Sequence, residues 1–411
     1  MNKTWSYENL GLVIIALLMA VGGMYSNKII SLLMPFLTLV LIWIQGGLKN
    51  VPFRLASPLA FLLLLLSWSG LSLFWAENAS AALKTFLSLG GTFIFSLLFI
   101  SCLMKATPDL ISKAYKIMKI AGFLLMCLIV FQAFIDTFHI NVFKTIKDSP
   151  YMMKPAGSIL GLVAFVGCAF LWINENKILS IFTFLLIISL ICLTLCQTAL
   201  YGILLASCAF ILSYAMPFWT TRISMVASYT FLIISPLLYT YFFPPAWVAQ
   251  SSYFSWILNG SFFHRFLAWE FYSQKFFERP FLGWGVESSR YLPTEAFLAP
   301  GYENTFHPHN NGIQAYVELG IPGGVLYALF FAALFWLVGK NVKDRLSVAV
   351  CNATLTFGFV EAVITHNAWR NYWLSLVTLT VGMIILFLKA REAQLHAEVD
   401  HSRQSLAPLG E

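Results

Sequence analysis

Apolar stretches of about 20 residues recur along almost the whole chain, and this period constrains the fold more than any single motif. A helix needs about 20 residues to cross roughly 30 Å of hydrocarbon, and it satisfies its own backbone polar groups where lipid offers none. Successive stretches run at 9–24, 29–45, 57–75, 84–104, 117–136, 155–173, 178–196, 199–216, 223–243, 319–339, 346–365 and 371–389. They predict an all-α integral membrane protein of about 12 transmembrane helices. Composition agrees: 59% of the 411 residues are apolar, 10% are charged and the mean hydropathy is +0.78, which excludes an ordinary soluble domain. The first stretch lacks a strong basic flank and leads straight into further spans, so it reads as a retained helix and not as a cleaved signal.

The seven cysteines (102, 127, 168, 192, 196, 208 and 351) all fall inside these stretches without metal-ligand spacing, as small apolar packing residues would. The net charge of +7 is spread over short loops with no aromatic interleaving. It therefore reports topology and not a nucleic-acid partner. Lys49 and Arg54, Lys105, Lys113 and Lys116, Lys340, Lys343 and Arg345, and Lys389 and Arg391 share one face if the N-terminus is cytoplasmic, against one contrary loop with Lys144, Lys147 and Lys154. The expected layout is nine transmembrane helices in 1–243, an extracytoplasmic loop with a polar motif in 244–318, three helices in 319–389 and a cytoplasmic tail in 390–411.

The segment 244–311 is the only long loop, and it is rich in Trp, Phe and Tyr with turn signals at Pro280, Gly283, Gly285 and Pro293, so it is expected to be ordered. The tail beyond Lys389 is expected to form a short helix with a disordered end. No internal repeat and no matched pair of broken spans supports a transporter.

The densest polar cluster is His307-Pro308-His309-Asn310-Asn311, followed by Gln314, Glu318 and Gly320-Ile321-Pro322-Gly323-Gly324. Pro308 favours a first helical turn, and Asn310, Gln314 and Glu318 then repeat every four residues on one face. A histidine in a first turn meets the positive end of the helix dipole, which keeps the ring neutral, as a general base must be. The plainer alternative is that both histidines only cap the helix. Arg265, four residues before Trp269, and Arg290, after the Gly283-Trp284-Gly285 turn, present planar forks suited to phosphate. The alternative for each is a surface ion pair, with Glu270 or Glu287. Residues 244–311 hold five glutamates and no aspartate, so no Asp-x-Asp metal pair exists there; the chain also lacks a GxxxxGK[ST] loop and a GxSxG elbow. No metal and no other cofactor is expected. Glu361 and His366, followed by Trp369 and Arg370, either line a cavity or mark a helix end at the interface.

These residues carry a family resemblance. His309-Asn310, nine residues and then Gly320-Ile321-Pro322-Gly323 resembles the His-[Asn/Ser/Gln]-x9-Gly-x-x-Gly signature of the bacterial O-antigen ligase and polymerase superfamily. Arg265 with Trp269 looks like the family's loop arginine, and Phe281-Leu282-Gly283-Trp284-Gly285 looks like its Gly-x-Gly turn. Leu73-Phe74-Trp75-Ala76-Glu77-Asn78 resembles its stretch after an early span. The resemblance implies a GT-C-type membrane glycosyltransferase with one large periplasmic loop, in the bacterial inner membrane. It would transfer a glycan from undecaprenyl diphosphate to the lipid A core oligosaccharide in an inverting reaction without metal or nucleotide. It implies His309 as base and Arg265, with Arg290, as diphosphate ligands, and it sets His307, Asn310, Gln314 and Trp269 around the substrate. Gln197 stands where many members carry an arginine, so it would bind phosphate without charge. A polymerase of the same superfamily is the nearest alternative, and a lipid-linked glycan transporter is a more distant one.

Overall fold

In the computed structural model the described residues are 7–25, 27–51, 57–137, 153–242, 261–293 and 307–405. Among them the regular structure is helical. The main helices are α1 (Tyr7–Tyr25), α2 (Asn27–Ile44), α3 (Ser57–Leu71), α4 (Ala79–Leu103), α5 (Pro108–Thr137), α6 (Lys154–Asn174), α7 (Lys177–Leu193), α8 (Gln197–Ala215), α9 (Pro217–Leu237), α10 (Ser261–Glu278), α11 (Asn311–Asn341), α12 (Arg345–Ile364) and α13 (Asn371–Ser405). By length and composition eight of them can cross a membrane, namely α4, α5, α6, α8, α9, α11, α12 and α13, and α1, α2, α3 and α7 are shorter apolar helices. This is a multi-pass membrane protein. Its exposed Trp43, Ile178 and Phe182 are what a lipid-facing surface requires.

Helix ends follow local chemistry. Asn176 opens α7 by accepting from the Ile178 N–H at 2.7 Å, and Asp344 opens α12 by accepting from the Ser347 N–H at 3.0 Å. Prolines sit at the starts of α6 and α9, where their missing N–H costs nothing. The helix expected in the polar tail is a continuation of α13, which runs past Lys389 to Ser405. The tail is rich in Ala, Glu, Gln and Leu, which favour a helix without any burial.

The chain divides into two compact units. One comprises Met1–Phe53, Ser96–Ile203 and Leu376–Glu411. Its α1 packs along α5 and α2, and α6 packs along α7. Fully buried Phe170 meets Phe387 edge-on and stacks on Tyr115, with both ring centroids 5.6 Å away. The other unit comprises Arg54–Phe95 and Leu204–Ser375. Its centre is α11, which packs chiefly on α9 and α3 and also on α12 and α10. A buried amide ties this unit together where the Asn352 Nδ2 donates to the hydroxyls of Ser213 at 2.9 Å and Thr221 at 2.7 Å. Of the long loop, the described parts are α10, the turn after it and a short 3-10 helix at Ser288–Tyr291; residues 243–260 and 294–306, including Glu295 and Glu303, lie outside the described residues.

Candidate active site

The site is built on a broken helix. Asn310 caps α11, its Oδ1 accepting from the Ile313 N–H at 3.1 Å, and every residue from Asn311 to Gly320 is buried. At Gly320 the backbone leaves the helix, with φ 65° and ψ −165°, and Pro322 follows. The break frees the carbonyls of Val317, Glu318 and Leu319, which in lipid would be costly. Each has a donor: the Trp284 N–H at 2.9 Å, the Gly285 N–H at 2.7 Å and the Trp68 Nε1–H at 2.8 Å. The Ile321 N–H donates in turn to the Pro280 carbonyl at 2.8 Å. A Cβ on Gly320 would lie 2.3 Å from the Phe281 oxygen, and one on Gly283 would lie 2.5 Å from the Glu318 backbone. Only glycine permits the two backbones to touch, so the Gly-Trp-Gly turn and the Gly-Ile-Pro-Gly motif are two halves of one contact. The span expected at 319–339 thus belongs to a longer helix interrupted one residue into that stretch.

Glu318 sits inside this junction with no exposure. Its Oε1 accepts from the Ser289 hydroxyl at 2.5 Å and the Gln314 Nε2 at 3.1 Å, and its Oε2 accepts from the Glu287 N–H at 2.6 Å and the Trp369 Nε1–H at 2.5 Å. The Gln314 Oε1 accepts from the Ala368 N–H at 2.9 Å. One carboxylate and one amide therefore join α11 to the turn before Arg290 and to the α12–α13 connection. Gln314, expected at the substrate, has both ends of its amide engaged within the protein. Trp369 is buried against Glu318 and does not anchor the helix at an interface, whereas Arg370 is exposed.

His307 and His309 precede the helix and do not occupy its first turn. His309 has φ 53°, a left-handed conformation that a residue with a Cβ seldom adopts. Its N–H donates to the His307 Nδ1 at 3.0 Å, so that nitrogen is bare and the proton of neutral His307 is on Nε2. The two rings lie 3.9 Å apart. The His309 Nδ1 is 3.1 Å from the Thr365 carbonyl oxygen. A carbonyl can only accept, so Nδ1 carries the proton and Nε2 keeps its lone pair. Among the described residues nothing binds that Nε2. Burial is the main reason His307 is pushed down to about 2, reinforced by the charges of His309, Arg290, His366 and Arg265. Burial also lowers His309 to about 4, partly opposed by the Thr365 bond and reinforced by Arg265 and His366. Burial and the charge of Arg265, and not a place in the first helical turn, are what favour the neutral ring. The group that orients the ring is a backbone carbonyl, that of Thr365, which no sequence pattern marks.

Arg265 is half-buried on α10, close enough that its charge bears on both histidines, while the charge of Arg290 bears on His307. The Arg290 Nε lies 3.0 Å from Glu287 Oε1, so the ion-pair alternative holds for that edge of the guanidinium. Burial raises the Glu287 carboxyl while Arg290 opposes the rise. Trp269 is buried among Tyr239 and Phe266, and its Nε1 has no hydrogen-bond partner among the described residues; the same is true of the Asn310 Nδ2. Arg265, Trp269, Arg290, His307, His309, Asn310 and Gln314 all belong to one unit; Gln197 is an exposed residue opening α8 in the other. Among the described residues no group of three His, Cys, Asp or Glu side chains is placed to hold a metal ion.

Comparison with known proteins adds a family. Residues 182–328, which contain both arginines and both histidines, match the family described as O-antigen ligase. Proteins given the provisional name of polysaccharide ligase are similar over most of their length. That of Rickettsia conorii is 24% identical over 82% of each chain. That of Rickettsia prowazekii is 25% identical over 76% of each, and that of Rickettsia felis 23% identical over 80% of each.

Proposed function

We propose, from the premise that the chain is a member of the O-antigen ligase superfamily with a polysaccharide ligase or polymerase type of function, that it is an O-antigen ligase. It transfers a glycan from undecaprenyl diphosphate to a hydroxyl of the lipid A core oligosaccharide at the periplasmic face of the bacterial inner membrane, within a GT-C-type arrangement of about 12 spans. A glycan substrate handled in a lipid environment follows from the family and the apolar helices themselves.

The observation that carries this reading is a neutral His309, its Nε2 open among the described residues and its ring in the field of Arg265, beside a His307 that feels both Arg265 and Arg290. In the proposed step the acceptor hydroxyl oxygen attacks the anomeric carbon from the face opposite the diphosphate. Its proton passes to His309 Nε2, the bond from the anomeric carbon to the diphosphate oxygen breaks, and the electron pair leaves with undecaprenyl diphosphate. Arg265 and the part of Arg290 not turned to Glu287 hold the diphosphate and offset the charge that grows on it. His307, with its Nε2–H donor, and the amide of Asn310 supply hydrogen bonds to substrate, and Trp269 offers an indole N–H. Gln314 serves by holding the α12–α13 connection. Diphosphate is already a good leaving group, so the reaction needs neither metal nor nucleotide.

The test is purified protein with a labelled undecaprenyl-diphosphate glycan, with and without lipid A core acceptor. Labelled core supports the proposal. Longer lipid-linked glycan without acceptor indicates the polymerase, and no transfer in either arm overturns both.

A further inference from the structure

The proposed reaction leaves a buried pair of titratable groups unused. Glu361 and His366 are both buried near the end of α12, and the His366 Nε2 lies 3.2 Å from the Glu361 Oε2. The His366 Nδ1 is 3.0 Å from the Tyr372 hydroxyl, and its ring stacks on Trp373 with centroids 4.0 Å apart and planes 18° from parallel. A carboxylate and an imidazole inside a membrane protein are costly unless they serve a purpose. The arrangement shows what they hold. The Glu361 backbone carbonyl accepts from both the Thr365 and the His366 N–H, at 3.0 and 3.3 Å, so the side chain and the backbone of Glu361 gather the same turn. From the other side, Gln314 binds the Ala368 N–H and Glu318 binds Trp369. The product of these ties is one carbonyl, that of Thr365, pointing at His309 Nδ1.

We infer that Glu361 and His366 are positioning residues: they fix the turn at Thr365, and through its carbonyl they set the tautomer and orientation of His309. The inference rests on the reading of His309 as the base. A peptide carbonyl has no side chain to replace, so its direction depends on the turn that bears it. If the turn relaxes, His309 can rotate or shift its proton to Nε2, and the lone pair that the acceptor hydroxyl needs is lost. The Glu361 contact with the His366 Nε2 is a close polar approach at 3.2 Å and not a directed hydrogen bond, so an amide of the same shape can take the place of the carboxylate.

The experiment compares kcat and donor KM in wild type, His366→Ala, Glu361→Ala, Glu361→Gln and Tyr372→Phe, and repeats His366→Ala in a His309→Ala background. Thermal melting of each purified variant identifies any that fails to fold, and Glu361→Gln and Tyr372→Phe, which keep shape, then carry the test. His366→Ala and Glu361→Ala are expected to lower kcat roughly 10- to 100-fold with donor KM within about twofold. Glu361→Gln should keep most of the rate, Tyr372→Phe should cost about threefold, and His366→Ala should cost nothing further once His309 is gone. An unchanged kcat in His366→Ala, a Glu361→Gln as damaged as Glu361→Ala, or an added loss in the His309→Ala background would overturn the inference. A His309→Ala protein of wild-type activity would overturn the underlying reading instead, and that result is visible before any His366 variant is considered.

Discussion

Two polar places, a buried one inside the broken helix and a half-buried one just before its start, are finished in opposite ways. At Glu318 both carboxylate oxygens are saturated, by two side-chain N–H groups, one hydroxyl and one backbone N–H. At His309 one nitrogen is held by a carbonyl and the other is open among the described residues. A group whose bonding capacity is spent inside the protein cannot engage a substrate without breaking the structure, whereas a held group with one open position is prepared to react. Hydrogen-bond accounting thus separates scaffold from chemistry where sequence pattern makes the two look alike, since Gln314, Glu318 and Asn310 all lie on one polar face.

The comparison breaks most readily at its open end. His309→Ala should lower transfer by about 1000-fold or more, because a positioned base contributes about 10²- to 10⁴-fold, and a steady-state assay of the purified protein reads the loss. At the closed end, Glu318→Gln turns an NH2 group toward several donors and removes the charge they share. It should cost about 2 to 4 kcal/mol of stability, seen as a lower melting temperature in detergent. Arg265→Lys should reduce kcat/KM roughly 10- to 100-fold, since an ammonium cannot form a bidentate fork; activity near wild type would demote Arg265 to a surface role.

The smallest expected effect concerns pH and sharpens the open end. His309 is lowered to about 4, so its basic form is present above that value and is lost only as pH falls through it. The kcat/KM profile should therefore change less than about twofold between pH 7.5 and 5.5, whereas an ordinary histidine near 6.5 would lose about tenfold of its base form by pH 5.5. A fall centred near 6.5 would mean that the ring is not buried as described.

Much of this was legible in the chain. The 20-residue period located the apolar helices, whereas the start of the polar-faced helix falls at the Asn310 cap and not at Pro308. The spacing from His309 to Gly320 carried the family. The parts that were not legible share a cause, which is that their partners are distant in sequence or are backbone atoms. Hydropathy averaged across the break at Gly320 and started a span near it. Glu318 gave no sign that it would meet Ser289 and Trp369, and a carbonyl such as that of Thr365 has no residue type at all. Residues 243–260 and 294–306, with Glu295 and Glu303, lie outside the described residues, so the expectation of an ordered loop applies there without a structural counterpart.

The most direct test measures melting temperature and transfer rate per folded molecule on the same preparations of His309→Ala and Glu318→Gln. The account predicts a crossed result: His309→Ala melts with the wild type but loses about 1000-fold in rate, while Glu318→Gln melts lower and keeps its rate within about tenfold. A His309→Ala protein that transfers glycan at the wild-type rate would contradict it.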